Sequence, residues 1–267
     1  MSSAEPGQEK IKAGGIIVTA TRIWFANLLP FSAIALLFNL PLIVWCYTST
    51  KVQAPGQFVT ALHNYTLASG FVTFITGGLV CAAVSHGTLQ QLRGTSVSVK
   101  ESMRVGAKQA VTAFLITFLT TLFAGFAMLA LIFPGVIVAI MYAVAVPVAV
   151  SEGLGFKASM RRSRALTDGL RKPVLLTLIF IVAMHFGFTY LVQLFLGIGT
   201  LDLTAPFQTS ESQIAVMKHT HNWLPISTAI IQMLTAVSSV VPAVLYAELR
   251  RAKEGQDTAA IAPARVV

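Results

Sequence analysis

Seven basic residues recur at helical spacing in two polar segments of this otherwise apolar chain. Lys157, Arg161 and Arg164 lie three or four residues apart, a spacing that places them on one face of an α-helix. Such a face attracts anionic lipid headgroups or a protein partner. The simpler interpretation is a pair of solvated loops whose charges only set orientation in a membrane. The candidate contact residues are Lys157, Arg161, Arg164, Arg171, Lys100, Arg104 and Lys108.

His185 is the second candidate for chemistry. It lies about eleven residues into an apolar segment, which is roughly 16 Å along a helix and close to the middle of a bilayer. An ionisable group at that depth indicates a proton or substrate path. The alternative is a neutral histidine bonded to a neighbouring helix. We favour this alternative because none of the apolar segments contains an Asp, Glu, Lys or Arg that could relay a proton.

No catalytic or metal-binding motif accompanies these residues. The chain has no Gly-rich phosphate loop, no HExxH and no GxSxG. His219 and His221 would supply two metal ligands without a third. Cys46 and Cys81 fall in apolar segments, at depths that differ by roughly 20 Å, so we expect two small hydrophobic residues and no disulfide. The sequence predicts no enzyme activity, no metal and no cofactor.

The composition is that of a membrane protein. Of the 267 residues, 55% are hydrophobic and only 11% are charged, whereas a soluble domain carries about 25% charged residues. The excess of 19 Lys and Arg over 10 Asp and Glu could indicate nucleic-acid binding. That function needs a basic surface on a polar domain, and the sequence has no such domain. We therefore predict no nucleic-acid partner.

Six apolar segments are long enough to cross a bilayer as helices, so the predicted fold is all-α. The fourth is the shortest. It is separated from the third by Phe133 and Pro134 alone, and proline fits the first turn of a new helix. This pair is therefore predicted to form a tight helical hairpin. The predicted spans are residues 23–47, 67–89, 111–132, 135–150, 174–198 and 224–247.

The distribution of Lys and Arg predicts the orientation. Seventeen of them fall on the side that holds both termini, and Lys51 and Lys218 fall on the other. Because cytoplasmic segments of bacterial inner-membrane proteins are rich in Lys and Arg, both termini are predicted to be cytoplasmic. Aromatic residues at the predicted ends of the spans agree with this. They are Trp45, Tyr47 and Trp223 outside and Trp24 and Tyr246 inside.

Three polar segments on the cytoplasmic side are candidates for amphipathic helices in the membrane interface. Residues 157–161 match residues 100–104 at four of five positions, and residues 15–28 align more weakly. This predicts a repeat of one interfacial helix and two spans, present two or three times. The predicted organisation is a cytoplasmic N-terminal tail over 1–22 with an interfacial helix, a six-helix membrane domain over 23–248, and a disordered cytoplasmic tail over 249–267.

The block from residue 133 to residue 173 resembles a known bacterial pattern. Its parts are the Pro134-Gly135 hairpin, Pro147, the Ser-Glu-Gly sequence at 151–153 and the sequence RSRALTDG at 162–169. Together they resemble the polytopic membrane domain found in some glycerophosphodiester phosphodiesterases and in stand-alone bacterial proteins. The resemblance implies a multi-helix membrane domain. The phosphodiesterase barrel would need roughly 200 further residues, so hydrolysis is not implied.

Two functions remain open at this point. The first is a non-enzymatic inner-membrane protein that organises or regulates a lipid or protein partner at the cytoplasmic face, by itself or as a homo-oligomer. The second is a small transporter or channel with a polar site near His185. The basic segments favour the first, and the internal repeats, the prolines in the spans and His185 favour the second.

Overall fold

The computed structural model describes residues 12–49, 58–196 and 210–255, and within these ranges the chain forms helices and no strand. The fold is all-α, as predicted. The helices in chain order are α1 (Ala13–Ala26), α2 (Leu28–Ser49), α3 (Phe58–Leu92), α4 (Val99–Lys108), α5 (Ala110–Ala130), α6 (Ile132–Tyr142), α7 (Ala145–Glu152), α8 (Phe156–Thr167), α9 (Arg171–Phe195), α10 (Ser210–Thr235) and α11 (Val237–Glu254).

Six helical segments of the described chain are long and apolar enough to cross a membrane, which confirms the predicted number. The first begins at Leu28 and not at residue 23, because Asn27 separates α1 from α2. The Asn27 side chain donates a hydrogen bond to the carbonyl of Ile23 at 2.9 Å and so occupies a carbonyl at the end of α1. The end of the predicted fifth span, at Ile198, lies outside the described residues.

The predicted hairpin between the third and fourth spans is present. α5 ends at Ala130, Leu131 is extended, and Pro134 lies in the first turn of α6. A Cβ atom on Gly135 would come within 2.9 Å of the carbonyl oxygen of Ala124, so glycine permits the close approach of α5 and α6. The fourth span is itself divided into α6 and α7, with Pro147 three residues after the break.

The helix order repeats three times along the chain. A short helix (α1, α4 or α8) is followed by one span (α2, α5 or α9) and then by a second span (α3, α6–α7 or α10–α11). α3, α7 and α11 contact one another at the centre of the bundle, whereas only 11% of the apolar segment in each of α5 and α9 is buried. This order fits the predicted threefold repeat.

The buried core lies at the end of the bundle where the three short helices pack. Ile16 of α1, Leu89 of α3, Leu166 of α8 and Leu249 of α11 are all at most 2% exposed. Toward the other end apolar side chains are exposed, and Leu129 of α5 is 84% exposed. Exposed apolar side chains of this kind suit a lipid environment. The predicted cytoplasmic segments thus meet at one well-packed end.

Two predicted features of this end need correction. Trp24 and Tyr246 do not lie on the surface as interfacial aromatic residues, because both are buried in the core, whereas Trp45, Tyr47 and Trp223 are exposed. α11 also continues to Glu254, so the first residues of the predicted disordered tail are helical and bonded to their neighbours. Residues 256–267 lie outside the described chain, as do residues 1–11.

Candidate functional site

α8 has an exposed basic face and a buried polar face. Lys157, Arg161 and Arg164 are exposed, whereas Ser159 and Ser163 are fully buried. The helix ends where predicted, since Gly169 has a φ of +76° and α9 begins at Arg171. Glycine adopts a positive φ at little cost, which favours glycine just after the end of a helix. The helical spacing in the sequence therefore identified the exposed face correctly.

α4, a shorter helix, also has an exposed basic face and a buried polar residue. Lys100, Arg104 and Lys108 are exposed, and Ser102 is fully buried. The Ser98 side chain accepts a hydrogen bond from the backbone N–H of Glu101 at 3.4 Å and caps the start of the helix. The seven predicted contact residues therefore share one end of the molecule. Their predicted contact with headgroups or a partner stays a prediction.

A cavity of about 380 Å³ lies beside the basic face of α8, between the end of α6 and the first turn of α9. Three of its lining residues are arginines that the sequence analysis selected: Arg161, Arg164 and Arg171. Its lining residues are Met141, Arg161, Arg164, Ala165, Thr167, Asp168 and Arg171. The structure thus gathers part of the basic stripe around one concave surface.

Asp168 is the single acidic residue in the lining of this cavity. Its carboxylate lies 3.5 Å from the Arg171 guanidinium, and the two side chains are 72% and 57% exposed. Exposed ion pairs of this kind contribute about 0–1 kcal/mol. Arg161 and Arg164 have no acidic partner among the described residues. The cavity therefore carries a net positive charge.

Arg162, on the opposite side of α8, belongs to a different arrangement. Its Nε lies 3.1 Å from a carboxylate oxygen of Glu152, at the end of α7, and its Nη2 pairs with Glu254 of α11. Glu254 also accepts a hydrogen bond from Arg250 at 2.9 Å. The Tyr246 hydroxyl donates to Glu152 at 3.0 Å and accepts from Arg250 at 3.2 Å. We call these five residues the polar network.

The polar network joins the middle of α8 to the ends of α7 and α11. Burial lowers the pKa of Arg162, but its hydrogen bonds to Glu254 and Glu152 outweigh this and raise the pKa above its ordinary value, so the guanidinium stays charged. Lys253 adds a further link by donating to the carbonyl of Ala165 at 2.7 Å. α8 is therefore held in place by its buried side while its exposed side is left for other contacts.

No pattern in the sequence pointed to this network. Glu152 is the last residue of α7 and binds Arg162. The partners of Arg162 are 10 and 92 residues away along the chain, so no local spacing could reveal them. The one available signal was that the bacterial pattern between residues 133 and 173 includes Glu152 and Arg162.

His185 lies on an exposed surface of α9, and the ring beside it is that of Phe186, 5.8 Å away between centroids. The structure does not place it next to another ionisable group within the described residues. Cys46 and Cys81 form no disulfide in the described part of the chain. In the described part of the chain no three His, Cys, Asp or Glu residues come close enough to hold a metal ion.

Part of the sequence is similar to that of a bacterial protein, the UPF0259 membrane protein SG1383 of Sodalis glossinidius (strain morsitans). The two are 31% identical over 116 residues, which make up 43% of this chain and 41% of the relative. No protein-family model matches the chain, and no solved structure matches it. The similarity gives no link to the membrane domain of glycerophosphodiester phosphodiesterases. What it supports, together with the six spans, is a multi-pass membrane protein that resembles bacterial polytopic membrane proteins.

Proposed function

We propose that the protein is a non-enzymatic protein of the bacterial inner membrane that binds anionic lipid headgroups at its cytoplasmic face and so organises the lipid around it. The observation that carries this proposal is the shared position of the basic faces of α4 and α8. Both are exposed at one end of the bundle, while the opposite faces are packed against it. The same packing keeps the cations at a constant position relative to the spans.

The charge distribution supports the orientation in this proposal. The excess of seventeen Lys and Arg residues over two supports a cytoplasmic position for the basic end. The inner leaflet is the anionic one, and each Lys or Arg near it contributes about 1 kcal/mol of attraction. Seven cations on two faces can therefore hold several anionic headgroups. The alternative is a transporter with a polar site near His185. The structure gives it no support, because His185 is exposed on the surface of α9.

The proposal is tested by lipid selectivity. The protein is reconstituted with equal amounts of phosphatidylglycerol and phosphatidylcholine, and the lipids that it retains after mild detergent extraction are counted by native mass spectrometry. A variant with glutamine at all seven positions should lose the preference for phosphatidylglycerol by at least about tenfold, because several favourable interactions of about 1 kcal/mol are removed together. The seven positions are Lys100, Arg104, Lys108, Lys157, Arg161, Arg164 and Arg171.

The control variant removes Lys51 and Lys218, which are predicted to lie on the other side of the membrane. It should keep the preference of the unmodified protein. An unchanged preference in the seven-position variant would contradict the proposal. So would an equal loss in the control, because the basic end would then have no special role.

A further inference from the structure

We propose that the cavity between α6, α8 and α9 is a binding site for a single phosphate group, held by Arg161, Arg164 and Arg171. This inference rests on the proposed function and deepens it, because it assigns a specific site within a broadly basic surface. A basic surface attracts any anion. A cavity with three guanidinium groups in its lining can select one chemical group.

The charge of the lining favours an anion. The cavity is lined by three arginines and by one acidic residue, Asp168. A guanidinium presents donors in a planar fork that matches two oxygens of a phosphate. Asp168 is 3.5 Å from Arg171 and mostly exposed, so an incoming phosphate displaces a weak contact. A cation would meet an excess of positive charge and is excluded.

The carbonyl oxygens in the wall also favour an anion as the ligand. The carbonyl of Met141 accepts hydrogen bonds from the hydroxyls of Ser163 at 2.9 Å and Thr167 at 3.5 Å. The carbonyl of Ala165 accepts one from Lys253 at 2.7 Å. These acceptors are already occupied by donors of the protein itself. What the wall still offers a ligand is mainly donors, which suits an anion.

The N-terminus of α9 adds to the positive charge beside the cavity. This 25-residue helix begins at Arg171, one of the lining residues, and no side chain caps its start. The partial positive charge at a helix N-terminus favours phosphate. This charge acts in addition to the three arginines. The volume of about 380 Å³ is at the small end of the range for ligand sites, which suits a headgroup rather than a whole lipid.

The phosphate can belong to a lipid headgroup or to a free phosphate compound, and the experiment separates the two sources. Purified full-length protein in detergent is titrated with inorganic phosphate and with glycerol 3-phosphate, and binding is followed by the unfolding temperature. In parallel, the phosphatidylglycerol molecules that survive delipidation are counted by native mass spectrometry. Both measurements are made on two variants that lose the same charge. One replaces Arg161, Arg164 and Arg171 with glutamine, and the other replaces Lys100, Arg104 and Lys108 with glutamine.

The cavity variant should lose at least about tenfold in affinity for the phosphate probe or in occupancy of one tightly bound lipid, whereas the α4 variant should retain both. Retention of one lipid with weak phosphate binding identifies the headgroup as the source. Strong phosphate binding without a retained lipid identifies the free compound. Both results support the site.

Equal losses in the two variants would overturn the phosphate site and leave the general lipid-binding function standing. An absence of both binding and lipid preference in the unmodified protein would contradict the proposed function as well. Unfolding temperatures of the two variants without ligand serve as the folding control. Both should lie within about 2 °C of the unmodified protein, since exposed substitutions change stability by about 0.5 kcal/mol or less.

Discussion

α4 and α8 each expose three cations, but different contacts hold the two helices to the bundle. Aligned through their shared sequence, Ser102 corresponds to Ser159, and both serines are fully buried. Three positions further along, Val105 of α4 corresponds to Arg162 of α8. The first packs among apolar side chains, and the second binds two carboxylates. The same helical repeat is thus secured once by apolar packing and once by charge.

The two helices also differ in what lies beside their exposed faces. α8 borders a cavity lined by three arginines. One of them, Arg164, corresponds to the uncharged Ala107 in α4. Some features are therefore common to both helices, and others are found in α8 alone. The buried serine and the exposed cations belong to both copies and suit any anionic surface. The cavity and the polar network belong to α8, and specific recognition is expected there.

The largest effect is expected from breaking the polar network. Replacing Arg162 with methionine should lower the free energy of unfolding by about 3 kcal/mol, because two partly buried carboxylates lose their shared partner. Unfolding in mixed detergent and dodecyl sulfate micelles, followed by circular dichroism, measures the change. The matched control is Arg161→Met on the same helix, which should change stability by less than about 0.5 kcal/mol because Arg161 is exposed. Similar losses in the two variants would show that the network does not hold α8.

A smaller loss is expected from enlarging a residue in the apolar contact of α4. A Cβ atom on Gly106 would meet the Cβ of Ala83 in α3 at 2.8 Å. Gly106→Ala should therefore cost about 2 kcal/mol, measured in the same unfolding assay. Gly187→Ala in α9 is the control, because no atom lies within 4 Å of a Cβ built there. A neutral Gly106→Ala would mean that α4 is not packed tightly against α3.

These contacts show which features of the molecule a single sequence can reveal. Spans, the α5–α6 hairpin and the exposed faces of α4 and α8 depend on local patterns, namely apolar length, Pro134 and three-to-four residue spacing. The polar network depends on residues that meet only after α11 has packed beside α8. The cavity likewise needs Met141 of α6 next to Arg164 and Arg171. The local spacing of the arginines identified them as candidates, but it could not show that they lie beside Met141 of α6.

The smallest effect, and the most specific to α8, is expected from Asp168→Asn. The carboxylate of Asp168 competes with a bound phosphate for Arg171, which lies 3.5 Å away. Its removal should raise the affinity for phosphate about threefold, since exposed ion pairs contribute less than about 1 kcal/mol. Stability should remain within about 0.5 kcal/mol. The gain should shrink at high salt, because exposed charges are screened.

Glu101→Gln is the matched control for Asp168→Asn, since it removes one acidic charge from α4, outside the cavity. It should leave phosphate affinity unchanged. Equal gains in the two variants would mean that phosphate responds to the total charge of the basic end rather than to the cavity. A loss of affinity in Asp168→Asn would show that Asp168 positions Arg171 for binding. The first result would remove the distinction between the two helices on which the phosphate site depends, and the second would contradict a competition between Asp168 and phosphate for Arg171.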